Sequence, residues 1–230
     1  MTDTDAIAAA YDVVAPAYAR LLPDMGTETG PEAEPDLDLV QQFAGLIPPG
    51  GTVLDAGCGT GRMVPYLEAL ADLRVEGCDI SEGMVARAQA GYPRHRFRVA
   101  DLAALPYAAQ SFDGVTAWYS LIHTAPKQLH SIGTELHRIL VPGGVLLMAF
   151  HAGEGPRTIT GAYGTEVQMT AHLHRVSEVL AVLRQCGFLI TASLERGPVA
   201  AERHSQGFVL ARARLPFRNA ERPLPKQGAL

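Results

Sequence analysis

Apolar runs and segments of helical periodicity alternate along the chain from residue 36 onward, and no other feature constrains the fold as much. Such alternation is typical of βαβ units, in which helices connect the strands of a parallel sheet. The predicted strands are residues 52–56, 74–79, 95–99, 112–118 and 141–150, and the predicted helices are residues 36–47, 61–71, 82–90 and 126–139. Ser81 is the predicted N-cap of the third of these helices. We therefore expect an α/β fold.

The segment after the fifth predicted strand follows a different pattern. Residues 151–165 hold five glycines or prolines and no apolar periodicity, which predicts a long loop. Residues 166–175 then alternate apolar and polar side chains, which is typical of a half-buried edge strand. His172 and His174 would lie together on its wet face. Their spacing also suits a metal ion, but no carboxylate or cysteine accompanies them, so the edge strand is the favoured interpretation.

Two further runs, 188–196 and 206–214, come after a predicted helix at about 175–186 and have no helix between them. They can pair as an antiparallel hairpin through the Gly-Pro turn that joins them. The segment after Leu215 is rich in proline and arginine, so residues 216–230 are predicted to be a disordered tail.

Size and composition exclude several classes of protein. The 230 residues suffice for one compact domain, and a net charge of −5 argues against a large phosphate-binding surface, so no nucleic acid partner is expected. The three cysteines are an odd number without CxxC spacing, which indicates neither a disulfide framework nor a thiolate metal site. Because no stretch of about 18 uninterrupted apolar residues occurs, we expect a cytoplasmic protein without a membrane partner.

A glycine-rich segment, VLDAGCGTGR (53–62), connects the first predicted strand directly to a helix. Gly57, Gly59 and Gly61 let the backbone turn tightly and approach a ligand, and the helix behind them offers free N–H groups to an anionic group. A dinucleotide-binding loop has the spacing GxGxxG, whereas position 62 is Arg here. On its own such a loop is weak evidence, because glycines also serve turns and close packing.

Acidic residues stand at the ends of three successive predicted strands, namely Asp55, Asp79 and Asp101. Asp79 follows the glycine loop by some two dozen residues, where a carboxylate can accept hydrogen bonds from both ribose hydroxyls. In an open α/β sheet the carboxyl ends of the strands form the ligand crevice, so this placement favours a nucleoside site. Helix capping explains any one of these acids, but three in register are harder to explain that way.

In these residues the chain resembles the class I S-adenosylmethionine-dependent methyltransferase family, and the resemblance extends over roughly residues 7–214. The resemblance is carried by DAGCGTG, by Asp79 and by the Ala-Asp-Leu segment at 100–102. It implies a Rossmann-like α/β/α sandwich, with a seven-stranded, mostly parallel sheet and an antiparallel C-terminal hairpin. It also implies S-adenosylmethionine as cofactor and S-adenosylhomocysteine as product.

The resemblance further implies a set of cofactor contacts. The glycine loop would lie under the methionine moiety, Asp79 on the ribose, and Asp101 with the Leu102 backbone at the adenine, which Ile80 and Met84 would sandwich. The whole expected set is Tyr11, Tyr18, Asp55, Gly57, Cys58, Gly59, Gly61, Asp79, Ile80, Met84, Asp101, Leu102 and Trp118.

The N-terminal segment YDVVAPAYARLL (11–22) resembles the YDxxAxxY helix of many small-molecule members, in which Tyr11 or Tyr18 would reach the cofactor. The alternative is that both tyrosines only pack a helix onto the sheet. We expect residues 1–48 to form a cap, residues 49–215 to form the cofactor-binding domain, and residues 151–174 within it to cover the substrate.

Methyl transfer from a sulfonium requires a positioned acceptor and, where needed, a base. WYSLIHT (118–124) follows the fourth strand, and its His123 is of the right type for a base near neutral pH. His123 and Tyr18 are the candidate catalytic residues. The alternative for His123 is that it only holds its loop through a backbone hydrogen bond. Tyr119, His123, His151 and Tyr163 are the candidate substrate contacts, and Trp118 or Tyr119 could face a sulfonium.

Several acceptor classes of the family are excluded by missing motifs. Tyr119-Ser120-Leu121 stands where enzymes acting on nucleic-acid amino groups carry Asn- or Asp-Pro-Pro-aromatic. Protein-arginine enzymes of the family use a pair of glutamates after the fourth strand, whereas residues 119–134 contain no acid. A small molecule is therefore the expected acceptor, and an aromatic secondary metabolite resembling an indole or quinol is one possibility. The methylated atom, O, N or C, stays open.

Two other functions compete with methyl transfer. A nicotinamide oxidoreductase would need GxGxxG and a Tyr-Lys pair, but only Lys127 and Lys226 are available. A protein that binds S-adenosylmethionine without transferring its methyl group is the stronger rival.

Overall fold

The computed structural model describes residues 3–200 and 202–214, and a seven-stranded sheet lies at its centre. The strands are β1 (Gly51–Ala56), β2 (Leu73–Asp79), β3 (Arg96–Val99), β4 (Phe112–Trp118), β5 (Leu140–His151), β6 (Gly155–Thr160), β7 (Gln168–Leu173), β8 (Phe188–Arg196) and β9 (Gln206–Ala213). The helices are α1 (Asp3–Leu21), α2 (Glu34–Gly45), α3 (Val64–Leu70), α4 (Glu82–Gly91), α5 (Leu129–Ile139) and α6 (Val176–Gln185).

The sheet has the strand order β3-β2-β1-β4-β5-β9-β8. The five strands from β3 to β5 are parallel, whereas β9 is antiparallel to both β5 and β8. The predicted mostly parallel sheet and its antiparallel C-terminal hairpin are therefore confirmed. Strand order reverses between β1 and β4, and ligands of open α/β sheets bind outside the carboxyl ends of the strands at such a point.

Helices cover both faces of the sheet, as the predicted α/β/α sandwich requires. Side chains of successive strand residues point to opposite faces, so Leu146 and Leu147 of β5 enter different hydrophobic cores. One core packs against α5 and α6, for example through Leu136, and the other packs against α2, α3 and α4, for example through Phe43. Because both faces are buried, the central strands are almost continuously apolar.

Most predicted elements are present with shifted ends. Ser81 caps α4 as predicted, since its side chain accepts a hydrogen bond from Met84 N at 3.0 Å. The helix predicted at 61–71 begins only at Val64, because glycine turns occupy the preceding residues. The helix predicted at 126–139 opens with a 3-10 turn at Pro126–Gln128 before α5.

The prediction of a loop over residues 151–165 was wrong for its central part. Residues 155–160 form β6, which pairs antiparallel with β7 as a separate two-stranded sheet. Its inward side chains are Arg157 and Ile159, so the segment lacks the apolar alternation by which strands are recognised. This hairpin packs on α1, where Met169 meets Val14 in a small third core.

The predicted wet face of the 166–175 strand is also partly wrong. β7 ends at Leu173, and His174 beyond it is only 2% exposed, with its Nε2 atom 3.3 Å from the Leu121 carbonyl oxygen. Within residues 3–200 and 202–214, no three His, Cys, Asp or Glu side chains converge as a metal site would require. The predicted disordered tail, 216–230, lies outside the described residues.

None of the helices in the described part of the chain has the combined length and apolarity that a membrane crossing needs.

Candidate active site

A cavity of about 600 Å³ lies at the carboxyl ends of the parallel strands, next to the reversal between β1 and β4. Its walls include the N-terminal helix α1, the glycine loop after β1, the loop after β4 and the strand β7. Cavities of this size are typical of small-molecule sites.

The glycine loop forms the floor of this cavity. Gly57 has φ +85°, in the left-handed region, and a Cβ atom there would lie 2.1 Å from the Ser120 Cβ. Gly59 has φ +53°, and its nearest neighbours are atoms of the Tyr18 ring at 3.7 Å and beyond, so its backbone borders open space. Both glycines line the cavity, whereas Gly61 packs against Tyr92.

Asp79 at the end of β2 is tied to this loop. Its Oδ2 atom accepts a hydrogen bond from Gly59 N at 2.9 Å, and its Oδ1 atom accepts one from Ser81 N at 3.0 Å. Burial raises the pKa of Asp79, and these backbone donors act in the opposite direction. The carboxylate lines the cavity and keeps lone pairs for a ligand, because each of its oxygens accepts a single hydrogen bond from these donors.

The adjacent end of the cavity collects residues from β2, α4 and the segment after β3. These residues are Ile80, Met84, Ala100, Asp101, Leu102 and Ala103. Met84 is buried, and Asp101 Oδ1 accepts a hydrogen bond from Ala103 N at 2.8 Å. The structure thus brings together the residues expected around an adenine.

Besides Gly61, two further residues of the expected cofactor set lie away from the cavity wall. Asp55 is buried within the sheet, where it accepts a hydrogen bond from Thr116 Oγ1 at 2.8 Å, and burial raises its pKa to about 6. Cys58 is buried, and a Cβ atom on Gly77 would lie 2.9 Å from its Sγ atom. Neither side chain lines the cavity.

Four aromatic rings form a further part of the cavity wall. Tyr18 and Tyr163 meet edge to face with 4.9 Å between ring centroids, and Trp118 and Tyr119 do so at 5.7 Å. All four rings line the cavity. Tyr119 has φ +56°, a strained conformation for a non-glycine residue, at the end of β4.

Arg62 holds the Tyr18 ring in place. The Tyr18 hydroxyl is hydrogen-bonded to Arg62, whose guanidinium also forms an ion pair with Glu32 and donates to the Pro23 carbonyl oxygen at 3.2 Å. Sequence reasoning missed this role, since Arg62 stood out only as the residue that breaks GxGxxG. The signal was its position in the loop, directly after the last glycine.

His123 lies in the loop after β4, between α1 and β7. Its Nδ1 atom is 2.6 Å from the Thr170 carbonyl oxygen, and its Nε2 atom is 2.9 Å from the Tyr11 hydroxyl. Burial lowers the pKa of His123, so the ring is neutral near pH 7. His123 and Tyr11 both line the cavity.

The fourth candidate substrate contact, His151, does not line the cavity. Its ring lies behind Tyr119, with 5.5 Å between centroids, and its Nδ1 atom accepts a hydrogen bond from Arg157 at 2.8 Å. Burial lowers the pKa of His151 to about 4.

Comparison with known proteins assigns the architecture. The family model described as "Methyltransferase domain" matches residues 53–144, from β1 to β5. An O-methyltransferase of Penicillium expansum, cnsE, is 30% identical over 148 residues, which are 61% of this chain and 53% of that protein. Solved structures with the same fold include the [4+2]-cyclase SpnF, with a TM-score of 0.70, 19% identity and coverage of 91% of this chain and 96% of that one.

A second solved structure is magnesium protoporphyrin IX methyltransferase from Synechocystis, with bound S-adenosylmethionine. It has a TM-score of 0.68, 20% identity and coverage of 92% of this chain and 97% of that one. These matches identify a methyltransferase domain in residues 53–144 and support a class I S-adenosylmethionine-dependent methyltransferase. The chain spans about half the length of cnsE.

The residues of this methyltransferase-family site fit S-adenosylmethionine, the cofactor of the family. Two buried polar atoms, Trp118 Nε1 and Ser120 Oγ, have no hydrogen-bond partner within the described residues, and both side chains line the cavity. Buried polar atoms usually have hydrogen-bond partners, so a polar ligand in the cavity is the natural partner for these two atoms. The carboxylates of Asp79 and Asp101 and the aromatic wall also suit a ligand with hydroxyl groups and a sulfonium.

Proposed function

We propose that this chain transfers the methyl group of S-adenosylmethionine to a small molecule. The observation that carries the proposal is a single cavity in which the glycine loop and Asp79 meet an aromatic wall and the His123 side chain. An oxygen atom is the favoured acceptor, because the relative cnsE is described as an O-methyltransferase and a neutral histidine lines the cavity. An aromatic secondary metabolite is the acceptor class that we propose, since flat rings form the wall.

The chain's own residues would bind and orient both reactants. When bound, S-adenosylmethionine supplies an electrophilic methyl group on a positively charged sulfur. Gly57 and Gly59 leave room for the methionine moiety, and Asp79 would accept the ribose hydroxyls. Tyr18 and Trp118 line the cavity and would present ring faces to the positive charge, each such interaction contributing about 0.5 to 2 kcal/mol.

Positioning is the largest contribution that we assign to the site. Well-oriented reactants gain about 7–11 kcal/mol relative to free collision, whereas a general base adds about 10²- to 10⁴-fold in rate. The helix α1 and the strand β7 contribute to the cavity wall, where they would limit the access of water to the reacting atoms. His123, neutral and buried, is the base that we propose.

The competing function is binding of S-adenosylmethionine without methyl transfer. The fold alone does not separate the two, because the neighbour SpnF is described as a [4+2]-cyclase. Product formation must therefore be measured directly.

Label transfer tests the proposal. The protein is incubated with methyl-labelled S-adenosylmethionine and a small-molecule extract, and labelled products are separated and identified by mass spectrometry. We expect one labelled acceptor and an equal amount of S-adenosylhomocysteine. Cofactor binding by calorimetry with no labelled product across extracts would favour the competing function, and absence of binding would overturn both. Asp79→Asn is the control variant that should lower labelling strongly at a cofactor concentration near the Kd of the unaltered protein.

A further inference from the structure

The Tyr11–His123 pair has a defined arrangement of protons. The carbonyl oxygen of Thr170 can only accept, so the 2.6 Å contact requires a proton on His123 Nδ1. The neutral ring then carries a lone pair on Nε2, and Tyr11 must donate its hydroxyl proton to that atom across 2.9 Å. The two rings meet edge to face, with 5.3 Å between centroids.

This arrangement leaves no ring nitrogen of His123 open to a substrate. The Thr170 carbonyl uses one nitrogen and the Tyr11 hydroxyl uses the other. The Tyr11 oxygen, in contrast, keeps its lone pairs, and Tyr11 lines the cavity. A proton leaving a substrate in this cavity therefore meets Tyr11 before it meets His123.

We propose that Tyr11 and His123 form a proton relay for a substrate that carries a neutral hydroxyl group. As the substrate oxygen forms its bond to the methyl carbon, the carbon–sulfur bond breaks and its electron pair stays on sulfur. The substrate proton moves to the Tyr11 oxygen, and the Tyr11 proton moves to His123 Nε2. Tyrosine is thus regenerated, and the imidazolium that forms later releases its proton to water.

Electrostatics around the pair favour a concerted transfer. Burial raises the pKa of Tyr11 well above its usual value, so a free phenolate is not formed. Burial also lowers the pKa of His123, and Arg157 on β6 and His172 on β7 repel a positive charge there, as does His151 on β5. The Thr170 carbonyl oxygen opposes them by stabilising the imidazolium. Tyr11 and His123 are therefore both neutral before the reaction, and the imidazolium formed by the transfer readily releases its proton.

The relay narrows the acceptor class of the proposed function, on which it rests. A carboxylic acid is already ionised near pH 7 and has no proton to give up, whereas an alcohol or a phenol keeps its proton. A relay that accepts a proton is of use only to the second kind of acceptor. We infer that the substrate presents a phenol or an alcohol to Tyr11.

The first test needs no substrate. Histidine is labelled with 15N, and the protonation of each His123 ring nitrogen is followed by NMR against pH. We expect a proton on Nδ1 and a lone pair on Nε2. Because the Tyr11 hydroxyl stabilises the neutral ring, Tyr11→Phe should move the His123 titration to higher pH. An unchanged titration in Tyr11→Phe would overturn the relay, whatever the protein methylates.

The matched control for this test is Tyr107→Phe. Tyr107 has a buried hydroxyl that finds no hydrogen-bond partner among residues 3–200 and 202–214, and it does not line the cavity. Its loss should leave the His123 titration unchanged. A titration that moves equally in both variants would assign the effect to general loosening of the protein.

The second test uses the acceptor identified by label transfer. We expect Tyr11→Phe and His123→Gln each to lower kcat by about 10²-fold or more, with the double variant no slower than the worse single variant. KM for the acceptor and the cofactor Kd should change less than about threefold. Full kcat in Tyr11→Phe, or an acceptor methylated at a carboxylate, would overturn the relay but leave the proposed function standing. Cofactor binding without any methylated product would contradict both the relay and the proposed function.

Discussion

At the scale of single residues, Asp79 carries the most direct prediction about the cofactor. Asp79→Asn keeps the shape of the side chain but removes its charge and replaces an acceptor with a donor that faces Gly59 N or the ligand. Charge-assisted hydrogen bonds contribute about 1.5–3 kcal/mol, so we expect binding of S-adenosylhomocysteine to weaken about 10- to 100-fold in calorimetry. Asp72→Asn, an exposed position just before β2, should bind normally. Equal affinity in both variants would contradict the ribose assignment.

The raised pKa of Asp55 predicts that the free energy of unfolding depends on pH. Its pKa rises from 3.8 to about 6, so the folded protein holds this proton more tightly than the unfolded chain. The protonated Asp55 side chain therefore makes its whole contribution to the free energy of unfolding below about pH 4. This contribution, about 3 kcal/mol, is lost as the pH rises through 6. Asp55→Asn can still accept from Thr116 and carries no charge.

Urea unfolding at two pH values tests this effect. We expect Asp55→Asn to match the unaltered protein near pH 4 and to exceed its free energy of unfolding by about 1–3 kcal/mol at pH 8. Asp72→Asn should show no such divergence. A destabilised Asp55→Asn protein at pH 8 would mean that the carboxylate is a net favourable charge, paired more strongly than the Thr116 hydrogen bond accounts for.

What the sequence could predict at this scale depends on distance along the chain. The glycine loop and Asp79 were recognisable because strand–loop–helix spacing is local. Asp55, in contrast, lies before the last residue of β1, in register with Gly77 and beside Thr116, so it is buried two residues deeper in the sheet than Asp79. The contact between Tyr11 and His123 joins residues 112 positions apart, and no local pattern encodes it.

At the scale of elements, a single carboxylate on α1 ties this helix to the start of α4. Asp12 Oδ1 accepts hydrogen bonds from Ser81 Oγ at 2.5 Å and from Gly83 N at 2.8 Å, at the positive N-terminal end of α4. Asp12→Ala should release α1 from α4, because both hydrogen bonds are lost. We expect faster amide hydrogen exchange in α1 and cofactor affinity reduced by about three- to tenfold.

Two companion variants sharpen this prediction. Arg20→Ala changes an exposed residue of α1 and should leave exchange and affinity as they were. Gly83→Ala favours the helix α4 intrinsically, but its Cβ atom would lie 3.1 Å from the Asp12 Cα atom. We expect it to loosen α1 as Asp12→Ala does. Unchanged exchange in both variants would mean that the ring contacts of α1 suffice to hold it.

The elements that sequence reasoning placed correctly are those that bury apolar side chains on the main sheet. β4 was predicted at its observed bounds, because residues 112–118 are apolar on both faces. β6 was missed because its inward face carries Arg157 and it pairs only with β7 and not with the main sheet. The apolar pattern that reveals core strands is therefore absent from β6, although it is present in its partner β7.

At the scale of the whole molecule, the strand order brings the site together. β1, β2 and β4 end at one edge of the sheet, and α1 and β7, from distant parts of the chain, close over that edge. The cavity walls therefore exist only in the folded state. A ligand that bridges these walls binds the folded chain and not the unfolded one, so it must raise the free energy of unfolding.

A thermal unfolding experiment measures that linkage. At a concentration 100 times its Kd, a ligand stabilises by about 2.7 kcal/mol, which for a chain of this length corresponds to about 5–10 °C in Tm. We expect S-adenosylhomocysteine to produce this shift, and NADH at the same concentration to produce none, because Arg62 replaces the third dinucleotide-loop glycine. Asp79→Asn at that same concentration should lose most of the shift, since mass action ties the stabilisation to affinity. A shift with NADH and none with S-adenosylhomocysteine would contradict the cofactor assignment at once, because the walls would then close on a different nucleotide.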